Sequence, residues 1–441
     1  MKKIRFLVMT AMFAAATIGT GTTMTSCSSE NSDEPVIDPV VEPVVTPEDN
    51  ELKPITLTRA QQEMVQANNE FAFNLFRTVA LPRPAGPCFA KPQSIILSPI
   101  SITYALGMLN NGATGETGQQ INDVLGFADT GADGINAFCS KMLTEAPALD
   151  KLTKVMIANT IYMNKPYQLK PMFVDLAKQY YDAVPETRDF HDGLTRSVIN
   201  KWGNDHTEGM IPEVLSEYEF DPGAVSYLLN AIYFKGTWSQ KFDKANTKDE
   251  TFKGEDGSQR QLPMMHMKDH QFNYAKTELF EMLHLPYGNG AYAMNILLPA
   301  EGKTLNDVMR GLTNETWRQY RFGSPVIADV KLPRFESNTN QDLVPIMTDL
   351  GMPRAFTPEA EFPDFCNVPT YIGLMKQVAR IKLDEEGSEA AAVTVIGIKF
   401  TSVGEPQDLP HVTFHATRPF LYIISEQSTG AIFFIGTYVG D

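Results

Sequence analysis

Cysteine is scarce in this chain of 441 residues, which contains only four: Cys27, Cys88, Cys139 and Cys366. None of them belongs to a CxxC motif, so the sequence indicates neither a disulfide framework nor a zinc site. Basic charge is also lacking, because 53 acidic residues outnumber 37 basic ones and give a formal net charge of -16. This balance argues against nucleic acid and anionic lipid headgroups as partners, since both attract basic surfaces.

The motifs of common hydrolases and nucleotide-binding proteins are absent as well. The sequence has no GxSxG nucleophile elbow. Residues 302–304 resemble the end of a P-loop, but Leu297 stands where its first glycine would be. His266 and His270 are four residues apart, yet no HExxH motif contains them and the segment is not clearly helical, so a solvated pair is favoured over a metal site. We therefore predict that the protein is not an enzyme and has no cofactor or metal ion.

The N-terminus has the pattern of a secretion signal. Basic residues at positions 2, 3 and 5 precede an apolar run at 6–18, which is too short for an ordinary membrane-spanning helix. The small residues before Cys27 resemble the lipoprotein box of bacteria, which implies removal of residues 1–26 and a lipid on the Cys27 thiol. The alternative is an ordinary signal peptide followed by an incidental cysteine.

Residues 27–56 contain a proline at every fourth position from Pro35 to Pro47, and acidic residues dominate their charges. Such a segment cannot bury a core, so we predict an extended tether that reaches on the order of 80 Å at about 3.1 Å per residue. The acidic run after Cys27 resembles the export signal of Bacteroides-type surface lipoproteins. We expect an outer membrane lipoprotein, attached to the membrane through Cys27 and displayed at the cell surface, with a periplasm-facing position as the alternative.

The rest of the chain, residues 57–441, contains no linker, repeat or low-complexity block, which indicates one domain. Apolar periodicity predicts helices at 58–80, 98–113, 115–127, 194–211 and 342–352. Apolar and β-branched runs predict strands at 154–164, 225–238, 292–299, 326–335, 418–427 and 430–439. Helices first and strands later, without regular alternation, are typical of an α+β fold.

One late segment has a pattern of its own. From Ser388 onward, every second residue is small or apolar: Ser388, Ala390, Ala392, Thr394, Ile396 and Ile398. A strand with such a face could enter the middle of a sheet, although it could also be an ordinary resident strand. The preceding Asp384, Glu385 and Glu386 are better explained as a solvated charge run than as an acid–base pair, because adjacent side chains of a strand point to opposite sides.

Four separated segments resemble the serpin family and occur in the family's order. They are SPISITYALGMLNNGATGETGQQINDVLGF at 98–127, NAIYFKGTW at 230–238, EEGSEAAAVT at 385–394 and VTFHATRPFLYIISEQSTGAIFFIG at 412–436. The resemblance extends over essentially the whole of residues 57–441. It implies a fold of three β-sheets with eight or nine α-helices and an exposed reactive-centre loop at about 385–410.

The resemblance also implies an activity, the irreversible suicide-substrate inhibition of serine endopeptidases, with cysteine endopeptidases as an open alternative. A peptidase would cleave the exposed loop, and the cut loop would insert into the main sheet before the acyl-enzyme is hydrolysed. The target peptidase would be the covalent partner of a monomeric inhibitor. The other interpretation, a non-inhibitory serpin that binds or carries a ligand, fits less well with the small inward-facing residues of the segment 388–394.

Matching residue by residue implies the working parts. The hinge would comprise Glu385, Glu386, Gly387, Ser388, Glu389, Ala390, Ala391, Ala392, Val393 and Thr394. Trp238 would lie at the breach, where insertion begins, and Ser98, Ser101 and Asn230 in a buried polar cluster called the shutter. Gln377 stands where the family commonly has a histidine. The alternatives are that Trp238 only fills the core and that the serines only cap a helix.

The bond offered to the peptidase is less well determined. The family's usual spacing from Glu385 to the scissile carbonyl leads to Thr401, with Ser402 next, which suits an elastase-like or permissive enzyme. Phe400 would suit a chymotrypsin-like enzyme and Lys399 a trypsin-like one. Counting back from Phe414 allows positions as far as residue 405.

Overall fold

The computed structural model describes residues 50–81, 92–128, 130–388 and 409–441. The predicted signal peptide, the lipid attachment site at Cys27, most of the tether and the segment 389–408 lie outside these residues. In the described part of the chain, no helix is both long and apolar enough to cross a membrane.

The described residues contain nine α-helices: α1 (Arg59–Ala80), α2 (Pro99–Asn110), α3 (Gly115–Leu125), α4 (Gly131–Glu145), α5 (Pro171–Tyr181), α6 (Thr195–Asp205), α7 (Leu305–Gly311), α8 (Asn314–Tyr320) and α9 (Val344–Asp349). α1 begins with a capping box, in which Thr58 and Gln61 each accept a hydrogen bond from the other's backbone N–H. α2 is buried along its whole length because strands of two different sheets pack against it.

Fifteen β-strands complete the described part: β1 (Ile95–Leu97), β2 (Thr153–Asn164), β3 (Glu186–Arg188), β4 (Ser226–Thr237), β5 (Lys248–Lys253), β6 (Gln259–Lys276), β7 (Phe280–Tyr287), β8 (Tyr292–Pro299), β9 (Ser324–Pro333), β10 (Phe335–Asp342), β11 (Met375–Leu383), β12 (Gly387–Ser388), β13 (His411–His415), β14 (Phe420–Glu426) and β15 (Ile432–Tyr438).

Six of these strands form one sheet in the order β10-β11-β12-β4-β2-β3. β4 is buried at nearly every position, as its almost continuously apolar sequence predicts for a central strand. β4 and β11 are parallel neighbours over part of their length, and the two-residue strand β12 lies between them at one end.

The other nine strands follow the path β1-β15-β14-β8-β7-β6-β9-β13, with β5 also paired to β6. The long strand β6 is irregular between Met267 and His270, where Asp269 has a φ of 59°. This irregularity divides the nine-stranded arrangement into two portions that share β6. One portion contains β7, β8, β14, β15 and β1, and the other contains β5, β9 and β13. Together with the six-stranded sheet, these two portions make three sheets, as predicted. The sheets and the described helices together confirm the predicted α+β class.

Candidate functional site

The boundary between β4 and β11, called the seam below, is occupied at one end by Gly387 and Ser388, two residues of the predicted hinge. The two strands pair in parallel at Leu228–Ile232 and Met375–Ala379 and then separate. After β11 the chain reverses, so that Ser388 lies opposite both Leu383 of β11 and Gly236 of β4. The two residues of β12 are therefore antiparallel to both neighbours.

A tight turn at Asp384–Gly387 produces this reversal. The Asp384 N–H donates to the Gly387 carbonyl at 2.8 Å, the Gly387 N–H donates back at 3.2 Å, and the Glu386 N–H donates to the Asp384 carboxylate at 2.9 Å. Gly387 has a φ of 150°, and a Cβ atom there would lie 1.9 Å from the Gly236 carbonyl oxygen. Only glycine allows the turn to approach β4 so closely.

Ser388 and Trp238 are joined through Tyr287. The Ser388 and Tyr287 hydroxyls are 2.6 Å apart, and both residues are buried. Burial raises the pKa of Tyr287 far above its ordinary value, so this hydroxyl keeps its proton. The Trp238 ring stacks on Tyr287 at 4.4 Å between ring centroids, and its Nε1–H donates to the Asp384 carbonyl at 3.0 Å. Trp238 therefore contacts the turn at Asp384–Gly387 directly and does more than fill the core.

Glu385 is held by an ion pair and is not a solvated charge, so that part of the sequence interpretation is wrong. Its side chain is 1% exposed, and the Arg334 guanidinium donates to it at 2.6–2.9 Å. The Thr247 hydroxyl donates to the same carboxylate. Burial alone would raise the pKa of Glu385, but the hydrogen bonds from Arg334 and Thr247 outweigh it and lower the pKa.

Glu386 forms the second anchor of the turn. The Lys241 and Lys244 ammonium groups lie 2.6 and 3.0 Å from its carboxylate. The hydrogen bond from Lys241 is the main cause of its lowered pKa. These cations lie between β4 and β5, and Arg334 lies between β9 and β10. The sequence did not identify them, because nothing in the local pattern associates them with residues 385–386.

A buried polar cluster crosses the six-stranded sheet below the hinge. Asn230 of β4 lies opposite Asn159 of β2 and Gln377 of β11. Its Nδ2 donates to Asn159 Oδ1 at 2.9 Å, and its Oδ1 accepts from the Ser101 hydroxyl at 2.7 Å and from Gln377 Nε2 at 3.3 Å. Gln377 also donates to the Ser101 hydroxyl at 2.9 Å and exchanges bonds of 2.9 Å with the Ser98 backbone.

The cluster contains every residue predicted for the shutter, and one more. Ser98 occupies the N-cap position of α2, but its side chain makes no capping hydrogen bond, so it takes part through its backbone. Ser101 links the helix to β4 and β11 with its hydroxyl. Asn159 was missed, although a polar residue inside the apolar run at 154–164 was an available signal.

The remaining predicted site residues lie outside the described part of the chain: Glu389, Ala390, Ala391, Ala392, Val393, Thr394, Lys399, Phe400, Thr401 and Ser402. The expectation that an exposed loop begins at residue 385 is wrong for its first residues. Glu385, Gly387 and Ser388 are buried in or beside the sheet.

Comparisons with known proteins agree with this geometry. A family model described as serpin (serine protease inhibitor) matches residues 66–440. Serpin B6 of Macaca fascicularis is 31% identical over 386 residues, which cover 85% of this chain and 98% of the relative. The native structure of the thermophilic serpin tengpin superposes with a TM-score of 0.76 at 26% identity, covering 89% of this chain and 97% of that one. Human thyroxine-binding globulin in complex with thyroxine gives a TM-score of 0.75 at 25% identity, covering 86% of this chain and 98% of that one. The chain therefore belongs to the serpin family.

Proposed function

We propose that this serpin is an irreversible suicide-substrate inhibitor of serine endopeptidases, with cysteine endopeptidases as a second target class, and that it has no catalytic activity of its own. The observation that carries the proposal is the position of Ser388 in the seam. A cut loop that follows Ser388 would enter where β4 and β11 have separated and would part their paired residues as it advanced.

The strand registers give this entry a defined end point. Ser388 is opposite Gly236 and Leu383. Thr394 follows Ser388 by six residues in the sequence. Asn230 and Gln377 precede Gly236 and Leu383, respectively, by the same number. Continued in the same registers, the inserted strand would bring Thr394 between the two amide side chains of the polar cluster. The threonine hydroxyl both donates and accepts, so it can bond with the two amides that now bond with each other.

The small face of the loop fits this path. Ser388 faces Tyr287 in the interior, so Ala390, Ala392 and Thr394 would face the interior too, because side chains alternate along a strand. These residues require little space and carry no charge. Insertion in this register therefore buries no unpaired charge on the inner face.

Mixing the protein with trypsin-, chymotrypsin- and elastase-like enzymes tests the proposal. We expect one class to give a covalent complex that survives denaturant and releases a C-terminal peptide beginning at Ser402. A peptide that begins one or two residues earlier would assign the bond to Phe400 or Lys399 instead. Cleavage of the loop by every enzyme, with no covalent complex from any, would reject the inhibitory function.

A carrier function is the second candidate, because thyroxine-binding globulin has a similar fold and binds a small ligand. The two candidates differ in what happens after cleavage. An inhibitor is expected to insert the cut loop and become more heat-stable. A carrier with an inert loop would keep its melting temperature after the same cut.

We further propose that the chain is a monomeric lipoprotein of the Bacteroides type, with residues 1–26 removed, lipid on Cys27 and the tether 27–56 holding the serpin domain 57–441 at the outer surface. The support is the order of basic, apolar, small and acidic residues at the N-terminus. Fatty-acid labelling of the parent protein and its loss in Cys27→Ser would test the anchor. Protease accessibility on whole cells would distinguish the cell surface from the periplasmic face.

A further inference from the structure

Two histidines and an aspartate form a compact cluster outside the hinge and the polar cluster. His266 of β6, Asp329 of β9 and His415 of β13 are each partly buried, and each offers one ligand atom within 4.8 Å of the others. Asp329 Oδ1 lies 2.8 Å from His266 Nε2 and 3.0 Å from His415 Nε2. The two imidazole rings are nearly perpendicular, with centroids 6.3 Å apart.

The strand registers explain why these residues meet. β9 lies between β6 and β13, and both His266 and His415 are directly opposite Lys331 of β9. Asp329 is two residues from Lys331, so its side chain projects from the same face of the sheet. The central strand thus supplies a carboxylate, and each neighbouring strand supplies an imidazole.

We propose that His266, Asp329 and His415 form a binding site for a divalent transition-metal ion of the Zn²⁺ class. Two imidazoles and a carboxylate are ligands that suit Zn²⁺, and three protein ligands leave a fourth position for water. With metal–ligand distances of about 2.0–2.1 Å, tetrahedral ligands are roughly 3.3 Å apart. The two distances from Asp329 Oδ1 would lengthen by a few tenths of an ångström. The two imidazoles would rotate so that their ligand nitrogens, which lie within 4.8 Å of each other, fit the same geometry.

The surrounding charges are compatible with a cation at this point. Asp329 supplies the acidic side chain of the cluster, and its Oδ1 lies within hydrogen-bond distance of the Nε2 atom of both histidines. Lys268 Nζ is 3.5 Å from the other carboxylate oxygen, on a side chain that is 60% exposed and can turn to solvent. Lys331 is bonded to Glu250 at 2.7 Å.

A metal ion here would hold a short edge strand in place. β13 has five residues and, among the described strands, pairs only with β9. It directly follows the segment that contains the predicted reactive bond. Coordination would add a cross-link from β13 to β9 and β6 and so fix the C-terminal end of the loop. This consequence for the loop rests on the proposed inhibitory function. The metal site itself does not depend on that function.

Titration calorimetry of the intact chelator-treated protein with ZnCl₂ tests the site without any peptidase. We expect one Zn²⁺ per chain, weakened by at least on the order of tenfold in His415→Gln and in Asp329→Asn. His411→Gln is the matched control, because it removes an exposed histidine from the same strand. It should bind Zn²⁺ as the parent protein does. MgCl₂ should not bind, since Mg²⁺ prefers oxygen ligands.

Hydrogen exchange then tests the effect on β13. Zn²⁺ should slow amide exchange at residues 411–415 in the parent protein and in His411→Gln, but not in Asp329→Asn. Melting curves in EDTA identify any variant that fails to fold. The Zn²⁺ affinity of whichever ligand variant does fold is then compared with that of the parent protein. Absence of Zn²⁺ binding to the parent protein, or equal binding to a folded ligand variant, would overturn the proposal. The result is independent of whether a peptidase is inhibited.

Discussion

Ser388→Arg is the substitution that most directly tests how the loop enters the sheet. Ser388 is buried, its hydroxyl bonds with Tyr287, and its neighbours on both sides are sheet strands. An arginine at this position cannot remain there without burying an unpaired guanidinium, which costs several kcal/mol. The uncleaved protein can avoid this free-energy cost by withdrawing residues 387–388 from the seam, which costs less.

The structure limits the cost of that withdrawal. It breaks the bond with Tyr287 and the short pairing of β12 with its neighbours, each hydrogen bond being worth about 1 kcal/mol net. We therefore expect the uncleaved variant to lose about 2–4 kcal/mol of stability and to remain folded. The cleaved loop has no such alternative, because residue 388 must enter first. A penalty of about 4 kcal/mol at this step would slow insertion about a thousandfold.

The assay compares covalent complex with free cleaved protein on a denaturing gel after reaction with a peptidase that cuts the loop. Ser388→Arg should be cleaved at a normal rate but should yield almost no complex, because the acyl-enzyme is hydrolysed before the loop inserts. Ser388→Ala is the control, since it loses only the hydroxyl bond with Tyr287 and keeps a small side chain. If the arginine variant formed as much complex as Ser388→Ala, entry of the loop beginning at Ser388 would be refuted.

Three further predictions concern the anchor, the register and the cut loop. Glu385→Gln should lower the free energy of unfolding by about 2 kcal/mol at neutral pH. Because the folded state lowers the pKa of Glu385, its contribution exists above the ordinary glutamate pKa, and the difference measured by denaturation should shrink as the pH falls below about 4. Thr394→Arg should abolish complex formation while Thr394→Ser preserves it, and equal complex yields on a denaturing gel would exclude the proposed register. Cleavage should raise the melting temperature of the parent protein, measured by calorimetry, but not that of Ser388→Arg; an unchanged parent value would contradict insertion.

Long periodic segments made much of the fold predictable. The helix predicted at 58–80 is observed at Arg59–Ala80, and the strand predicted at 292–299 is observed at Tyr292–Pro299. The strand predicted at 326–335 was placed less well, because β9 ends at Pro333 and β10 begins at Phe335. Arg334, the residue between them, makes the ion pair with Glu385 that the sequence could not indicate.

Contacts between distant segments were the least predictable part of the candidate site. The acidic run at 384–386 was interpreted as solvated because its sequence contains charges and no visible partners. Its partners come from two other places in the chain, the connection between β4 and β5 and the residue between β9 and β10, and only the fold brings them together. The same limit applies to His266, which was compared with His270 in its own strand, whereas the fold places it beside His415. Side chains that meet across strands leave no local spacing to detect.

On the proposed mechanism, the buried polar cluster would give the seam two stable arrangements and an unfavourable one between them. With the seam closed, Asn230 and Gln377 bond to each other and to Ser101. With the loop inserted as far as Thr394, the threonine hydroxyl can take the place of the bond between the two amides. If the seam were opened at this position before Thr394 arrived, the bond between Asn230 and Gln377 would be lost without replacement. Each buried polar group left unsatisfied costs about 1–3 kcal/mol. An apolar seam would have no such penalty at a defined position. If the loop inserts as proposed, the cluster would oppose partial insertion beyond Ser388 in the uncleaved protein and would favour complete insertion once cleavage frees the loop.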